Sequence, residues 1–145
     1  MFPEPHFIDS NGIRMAVYEQ GDGPAVILLH GFPELAFSWR HQLPALAAAG
    51  YRAIAPDQRG YGKTSVPSLV SDYRIETLIA DIHGLLDALE LDSAIFVGHD
   101  WGALLLWQMA QLAPQRMDAL IQLNIPLIPR PPVDPQRPGR RSRRR

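Results

Sequence analysis

The pattern of apolar and polar positions near the N-terminus predicts a β-hairpin. Apolar residues occupy every second position from 13 to 17, which is the spacing of a strand with one buried face. The Asn11-Gly12 pair just before them is typical of a two-residue turn between antiparallel strands. The hairpin is therefore predicted to place residues 7–8 beside residues 13–18.

Four further apolar runs predict strands, at residues 25–29, 52–55, 93–97 and 117–123. The first is apolar at every position, which is typical of a strand buried on both faces in the middle of a parallel sheet. Three stretches between the strands predict helices, at residues 38–49, 75–89 and 101–112. Strands that alternate with helices predict an α/β fold with a mostly parallel sheet and flanking helices on both faces.

The three predicted helices differ in their apolar patterns. The helix over 38–49 contains Pro44, which is expected to restart or kink it. The helix over 75–89 carries apolar residues at helical spacing, so one face should pack on the sheet. The helix over 101–112 is apolar nearly all round, and it is therefore predicted to be the most buried of the three.

A glycine-bounded turn links the predicted strand 93–97 to the predicted helix 101–112. Its spacing, Gly98-x-Asp100-x-Gly102, matches the nucleophile elbow G-x-S-x-G with aspartate in place of serine. The elbow is a sharp turn that crowds the two flanking positions, and glycine is the residue that fits there. The pattern predicts that Asp100 is held up at the carboxyl end of the sheet. The alternative is that Asp100 only caps the following helix.

An aspartate at the tip of this turn predicts a particular chemistry. Its carboxylate is ionised at neutral pH and needs no base to activate it. Attack on an ester would give an unstable mixed anhydride, whereas attack on a saturated carbon with a leaving group gives an alkyl ester. Asp100 is therefore predicted to be the nucleophile, and its partner is predicted to be a small-molecule epoxide or alkyl halide.

A second motif, His30-Gly31-Phe32-Pro33-Glu34, follows the predicted strand 25–29. In the fold that contains the elbow, this position supplies the other half of an oxyanion hole. The backbone N–H groups of Phe32 and Trp101 are predicted to point at the carbonyl oxygen of the aspartyl ester. The predicted substrate-binding residues are His30, Pro33, Trp101 and Asn124. The alternative is an ordinary loop in which His30 is a hydrogen-bonded spacer.

Composition narrows the function classes. The chain has 145 residues, 46% of them apolar, and no cysteine, so thiolate metal sites and disulfides are excluded. No secretory signal or membrane-spanning apolar run is visible, which predicts a cytoplasmic protein without membrane partners. Gly62-Lys63-Thr64 is not a phosphate loop, because Asp57 stands where that motif requires glycine. No metal and no cofactor are expected.

Charge divides the chain into two parts. Residues 130–145 contain seven arginines and one aspartate, a net charge of +6, so residues 1–129 carry −7 of the total −1. We therefore predict a core over 1–129 and a Pro/Arg-rich disordered tail over 130–145. The tail has arginine but no lysine, which favours a frameshifted or truncated reading over a nucleic-acid-binding arm. The acidic core also opposes a nucleic-acid partner.

Taken together, the motifs resemble the α/β-hydrolase fold superfamily, and within it the epoxide hydrolase group. The matching stretches are residues 30–34, 38–40, 57–62, 98–102 and 123–126, in the family's order. The resemblance implies that Asp100 opens an epoxide through an aspartyl-ester intermediate, which is hydrolysed to a diol. It also implies two proton-donating tyrosines in a helical cap, and a late histidine, oriented by an acid, that activates water.

Two further classes of protein stay open as alternatives. Haloalkane dehalogenases share the aspartate elbow and often the tryptophan after it, but they need donors to hold a halide. Phe32 occupies a position where such a donor would be expected, so the epoxide interpretation is favoured. The other alternative is a non-catalytic hydrolase remnant that acts only in binding.

The residues after Asp100 limit what this chain is expected to do. None of its five histidines and none of its four tyrosines follows Asp100. The chain therefore resembles the N-terminal part of the family only, without the cap and the C-terminal part. We expect no steady turnover by this chain alone. The strand 117–123 is expected to be an exposed sheet edge, through which the chain can self-associate.

Overall fold

A computed structural model describes residues 1–126 of the chain, and its centre is a six-stranded sheet with the strand order β1-β2-β4-β3-β5-β6. The strands are β1 (His6–Ser10), β2 (Ile13–Gln20), β3 (Ala25–Leu29), β4 (Arg52–Pro56), β5 (Ala94–His99) and β6 (Met117–Leu123). The N-terminal hairpin pairs antiparallel and adds antiparallel to β4. The four strands β4, β3, β5 and β6 are parallel. The predicted fold class is confirmed.

Helices cover both faces of the sheet, as predicted. They are α1 (Gln42–Ala48), α2 (Ile75–Ala88) and α3 (Trp101–Leu112), with short 3-10 turns at Ala36–Trp39, Val70–Tyr73 and Pro114–Arg116. Ile27 and Leu29 of β3 belong to the core beneath α2 and α3. Val26 and Leu28 of the same strand belong to a second core beneath α1. Strand β3 is thus buried on both faces, which explains why its sequence is apolar at every position.

The helix predicted over residues 38–49 is not continuous. A 3-10 turn ends at Trp39, and α1 begins at Gln42. Pro44 lies in the first turn of α1, where a missing N–H breaks no helical hydrogen bond. The interruption therefore lies before the proline rather than at it.

Helix α3 has the largest buried share of the three helices, as predicted, with five buried residues of 12 against five of 14 in α2 and one of seven in α1, but it is not buried all round. Its buried residues are Gly102, Ala103, Leu105, Leu106 and Met109, whereas Leu104 and Leu112 are exposed. Only the face of α3 that meets the sheet and α2 is covered by residues 1–126. An apolar sequence shows that a helix can be buried all round, but it does not show which faces other elements cover.

The loop over residues 57–65 is fastened to the hairpin and to α2. Arg59 forms a buried ion pair with Asp81, with both nitrogen–oxygen distances at 2.7 Å. Asn11 of the hairpin turn donates to the same carboxylate at 2.8 Å. Asp57 accepts the backbone N–H of Ala36 at 2.9 Å. The loop is therefore held in place beside the carboxyl ends of β3 and β5.

The structure does not cover the predicted C-terminal tail, but it bears on membrane-spanning helices and on metal sites. The predicted boundary at residue 129 and the tail over 130–145 lie outside the described residues, so they stay predictions. Among residues 1–126, no helix is long and apolar enough to cross a membrane. The same residues contain no cluster of three or more histidine, aspartate or glutamate side chains that is able to hold a metal ion.

Candidate active site

Asp100 lies at the junction of β5 and α3 with a strained backbone. Its φ of 52° and ψ of −117° fall in a region that residues other than glycine rarely adopt. A Cβ on Gly98 would lie 2.8 Å from the Cα of Ala103, and a Cβ on Gly102 would meet the carbonyl oxygen of Leu29. Both flanking glycines are therefore required, because the turn brings the start of α3 against the sheet.

Two backbone amides surround the carboxylate of Asp100. The N–H of Phe32 donates to Oδ1 at 3.0 Å. The hydrogen bond from the N–H of Phe32, and then that from the N–H of Trp101, lowers the pKa of Asp100 below its ordinary value. The structure thus brings together Asp100 and the two predicted oxyanion donors. Their catalytic roles stay predictions.

The loop that carries Phe32 approaches Asp100 closely because residue 31 is glycine. A Cβ on Gly31 would lie 2.5 Å from the Cβ of Asp100. Glu34 closes the loop, since its Oε2 accepts the N–H of Gly31 at 3.0 Å and its own N–H donates to the carbonyl of Gly31 at 3.2 Å. The peptide bond between Phe32 and Pro33 is cis. The hydrogen bonds between Glu34 and Gly31 hold the loop so that the N–H of Phe32 meets the carboxylate of Asp100.

The side chains of Glu34, His99 and Asn124 form a hydrogen-bonded network that the sequence did not reveal. Nδ1 of His99 lies 3.0 Å from Oε2 of Glu34, and Nε2 of His99 lies 2.8 Å from Nδ2 of Asn124. Burial raises the pKa of Glu34, but the hydrogen bonds from Gly31 and His99 outweigh it, and the net pKa is lowered. With neutral His99, its Nδ1–H donates to Glu34 and its Nε2 accepts from Asn124.

Two of the predicted substrate-binding residues, His30 and Asn124, form hydrogen bonds to other protein groups. His30 is fully buried. Its Nδ1 lies 2.9 Å from the carbonyl oxygen of Gly31, and its Nε2 accepts the N–H of Gln58 at 3.1 Å. Burial lowers the pKa of His30. This geometry fits the hydrogen-bonded spacer rather than substrate contact. Asn124, at the end of β6, is directed to His99 rather than to Asp100.

The other two predicted substrate-binding residues lie at the surface beside Asp100. Pro33 is exposed, and the side chain of Trp101 is 58% exposed. The side chain of Phe32 is 63% exposed. The carboxylate is therefore bordered by exposed apolar groups that are available to a ligand.

An apolar cavity of about 390 Å³ opens next to Trp101. Its walls come from the loop 57–65, from the 3-10 turn Val70–Tyr73 and from α2 and α3, with Tyr61, Tyr73, Ile75, Leu78, Trp101 and Leu105 among the lining residues. Burial, and then the charge of Asp100, raises the pKa of Tyr61. Tyr61 was not predicted to be a site residue. Its place in the cavity depends on the path of the loop, which the sequence motif did not reveal.

Comparison with known proteins agrees with this geometry. The chain matches the family model described as the alpha/beta hydrolase fold over residues 24–142. It is 50% identical over 135 residues to epoxide hydrolase A of Mycobacterium tuberculosis, covering 92% of this chain and 42% of that protein. It is 48% identical over 128 residues to epoxide hydrolase 3 of Siraitia grosvenorii, covering 88% and 40%.

Solved structures give the same result. The chain superimposes with a TM-score of 0.86 on an epoxide hydrolase from Vigna radiata, at 47% identity, covering 89% of this chain and 40% of that one. The TM-score is also 0.86 for epoxide hydrolase A of Mycobacterium thermoresistibile, at 49% identity, covering 92% and 42%. The chain thus spans about 40% of the length of these relatives. It belongs to the α/β-hydrolase fold family, and its relatives above are epoxide hydrolases.

Proposed function

We propose that Asp100 is the nucleophile of an epoxide hydrolase-type site. The observation that carries the proposal is the hydrogen bond of 3.0 Å from the N–H of Phe32 to Oδ1 of Asp100. It holds a carboxylate at a strained turn, next to exposed apolar side chains. A helix cap alone would require neither the strain nor a donor from another loop. The identity to epoxide hydrolases supports the same assignment.

The reaction begins with attack by Oδ2 of Asp100 on a ring carbon of the epoxide. A bond forms between that carbon and Oδ2, and the bond from the same carbon to the ring oxygen breaks. The ring oxygen stays bonded to the other ring carbon, becomes an alkoxide and takes a proton from a donor or from water. The product is a hydroxyalkyl ester whose carbonyl oxygen, Oδ1, accepts the N–H of Phe32, as the carboxylate does now, and in this proposal also that of Trp101.

The second step is hydrolysis of this ester. Water attacks Cγ of Asp100, and negative charge develops on Oδ1, where the two amides stabilise it. The diol then leaves and the carboxylate is restored. Attack by water requires a base. All five histidines precede Asp100 in the chain, His30 is buried, and His99 is held between Glu34 and Asn124.

We therefore expect the 145-residue chain by itself to accumulate the ester rather than turn it over. Treatment with styrene oxide should add the mass of one epoxide to the wild-type protein, as seen by intact-protein mass spectrometry. Asp100→Asn should lose the adduct, because the amide is a poor nucleophile. Asp92→Asn, which changes an exposed aspartate away from the site, is the matched control and should react like the wild type.

Three results would change this assignment. Equal labelling of the wild type and Asp100→Asn would show that another group reacts. Absence of labelling in both would favour a remnant that only binds. Sustained diol formation by the wild type would show that a base is present in the 145 residues.

Alkyl halides are the second candidate substrates. The exposed indole of Trp101, next to Asp100, is a possible halide donor, but the side chain of Phe32 offers no N–H. We therefore propose epoxides first. Labelling of the wild type by an alkyl bromide at a rate above that with styrene oxide would reverse this order.

A further inference from the structure

The cavity beside Trp101 offers an apolar surface between two helices. It measures about 390 Å³ and lies between the N-terminal turns of α2 and α3. Ile75 and Leu78 supply the α2 wall, and Leu105 supplies the α3 wall. This size falls within the range of small-molecule pockets, roughly 300–1,000 Å³.

Three of the polar side chains that line the cavity, those of Gln58, Arg59 and Tyr73, already form hydrogen bonds to other groups. Arg59 donates from Nε and Nη2 to the carboxylate of Asp81. Its Nη2 also donates to the carbonyl oxygen of Asn11 at 3.1 Å. Gln58 donates to the carbonyl of His30. Tyr73 donates its hydroxyl to the carbonyl of Pro67 at 2.8 Å. A ligand in the cavity therefore meets mainly hydrocarbon and aromatic rings, which favours an uncharged apolar group.

Two residues that line the cavity, Trp101 and Tyr61, also lie close to Asp100. The indole ring of Trp101 lines the cavity, while the backbone N–H of the same residue acts on the carboxylate of Asp100. Tyr61 also lines the cavity and is close enough to Asp100 to feel its charge. A group held in the cavity therefore has its attachment point next to the carboxylate.

We propose that this cavity binds the aryl or branched alkyl substituent of the epoxide that Asp100 attacks. The inference rests on the proposed function, because it assigns the substituent of that same substrate. Burial of a phenyl group in the cavity places the epoxide carbon in front of Asp100. Binding in the cavity therefore speeds the labelling of Asp100 by aryl epoxides. An epoxide with only a methyl substituent gains little from the cavity.

The test fills the cavity and compares two epoxides. Leu78→Trp and Ile75→Trp add bulk to the α2 wall, and Leu112→Trp adds the same side chain at an exposed position at the other end of α3. The rate of Asp100 labelling by styrene oxide should fall roughly ten- to a hundredfold in the two filled variants, the loss expected when a phenyl group is not buried. Labelling by propylene oxide should stay within about twofold of the wild type. Leu112→Trp should behave like the wild type with both.

A binding measurement separates this inference from the proposed function. Benzyl alcohol, which cannot alkylate Asp100, should shift the indole N–H signal of Trp101 in an NMR titration of the wild type and of Leu112→Trp, but not of Leu78→Trp. If neither epoxide labels the wild type, the proposed function fails and this titration alone tests the cavity. A shift of the Trp101 signal in the wild type that is lost in Leu78→Trp supports binding in the cavity. The absence of any shift in the wild type overturns it.

Two labelling results would also overturn the inference. One is labelling of both filled variants by styrene oxide at the wild-type rate. The other is an equal loss of rate with both epoxides in variants whose thermal unfolding remains cooperative. If Leu78→Trp does not fold, Ile75→Trp, in the first turn of α2, replaces it in both measurements.

Discussion

At the scale of single residues, the reactivity proposed for Asp100 depends on the backbone amides next to its carboxylate. The amides of Phe32 and Trp101 stabilise its charged form, and they lower the pKa of Asp100 below its ordinary 3.8. The reactive carboxylate is therefore present at every pH above that value and is lost only as the pH falls through the lowered pKa. Sequence reasoning predicted all three residues, because the elbow and the His-Gly motif are local patterns.

An NMR titration of the side-chain carboxyl carbon of Asp100 tests this environment. The midpoint in the folded chain should lie below the midpoint in a free peptide of residues 98–102, where the amide of Phe32 is missing. The labelling rate should accordingly be constant from about pH 8 to about pH 5, since the carboxyl group stays ionised over that range. A midpoint equal to or above that of the peptide would contradict the two-amide arrangement.

At the scale of elements, the strands and the elbow follow from local sequence, whereas the supporting contacts do not. Period-two and continuous apolar runs predicted β2 and β3 because strand burial repeats over neighbouring residues. The Glu34–His99 contact joins residues 65 positions apart, and no local pattern encodes it. The break before α1 was likewise missed, because proline is tolerated in the first turn of a helix.

Gly102→Ala tests the packing of the elbow against β3. Helix propensity alone predicts that alanine stabilises α3, but the added Cβ meets the carbonyl oxygen of Leu29, which is backbone and cannot move aside. The free energy of unfolding in urea should therefore fall by about 1–3 kcal/mol, and labelling of Asp100 should slow. Gln111→Ala, at an exposed position in the same helix, should change the free energy by less than about 0.5 kcal/mol. Stabilisation by Gly102→Ala would refute the predicted contact.

At the scale of the whole molecule, β6 is an edge strand of the described sheet and carries exposed apolar side chains. Within the described part of the chain, β6 pairs with β5 alone, and Ile121 is 50% exposed. An unpaired strand edge is a site for pairing between copies. We expect the 145-residue chain to self-associate as its concentration rises.

Sedimentation velocity over a concentration series measures this association. Ile121→Lys should shift the distribution towards the monomer, because a charged side chain on an edge strand opposes pairing. Leu69→Lys places the same charge on an exposed loop residue and should sediment like the wild type. A wild-type protein that stays monomeric at all concentrations would contradict the prediction, as would an equal effect of both variants.

The central claim is that Asp100 forms a covalent ester with an epoxide. The most direct measurement is peptide mapping by tandem mass spectrometry after incubation with styrene oxide. We expect one adduct, on Asp100, and none on the exposed Asp92 or on the half-buried His99. An adduct confined to another residue, or spread over several exposed side chains in proportion to their exposure, would contradict it.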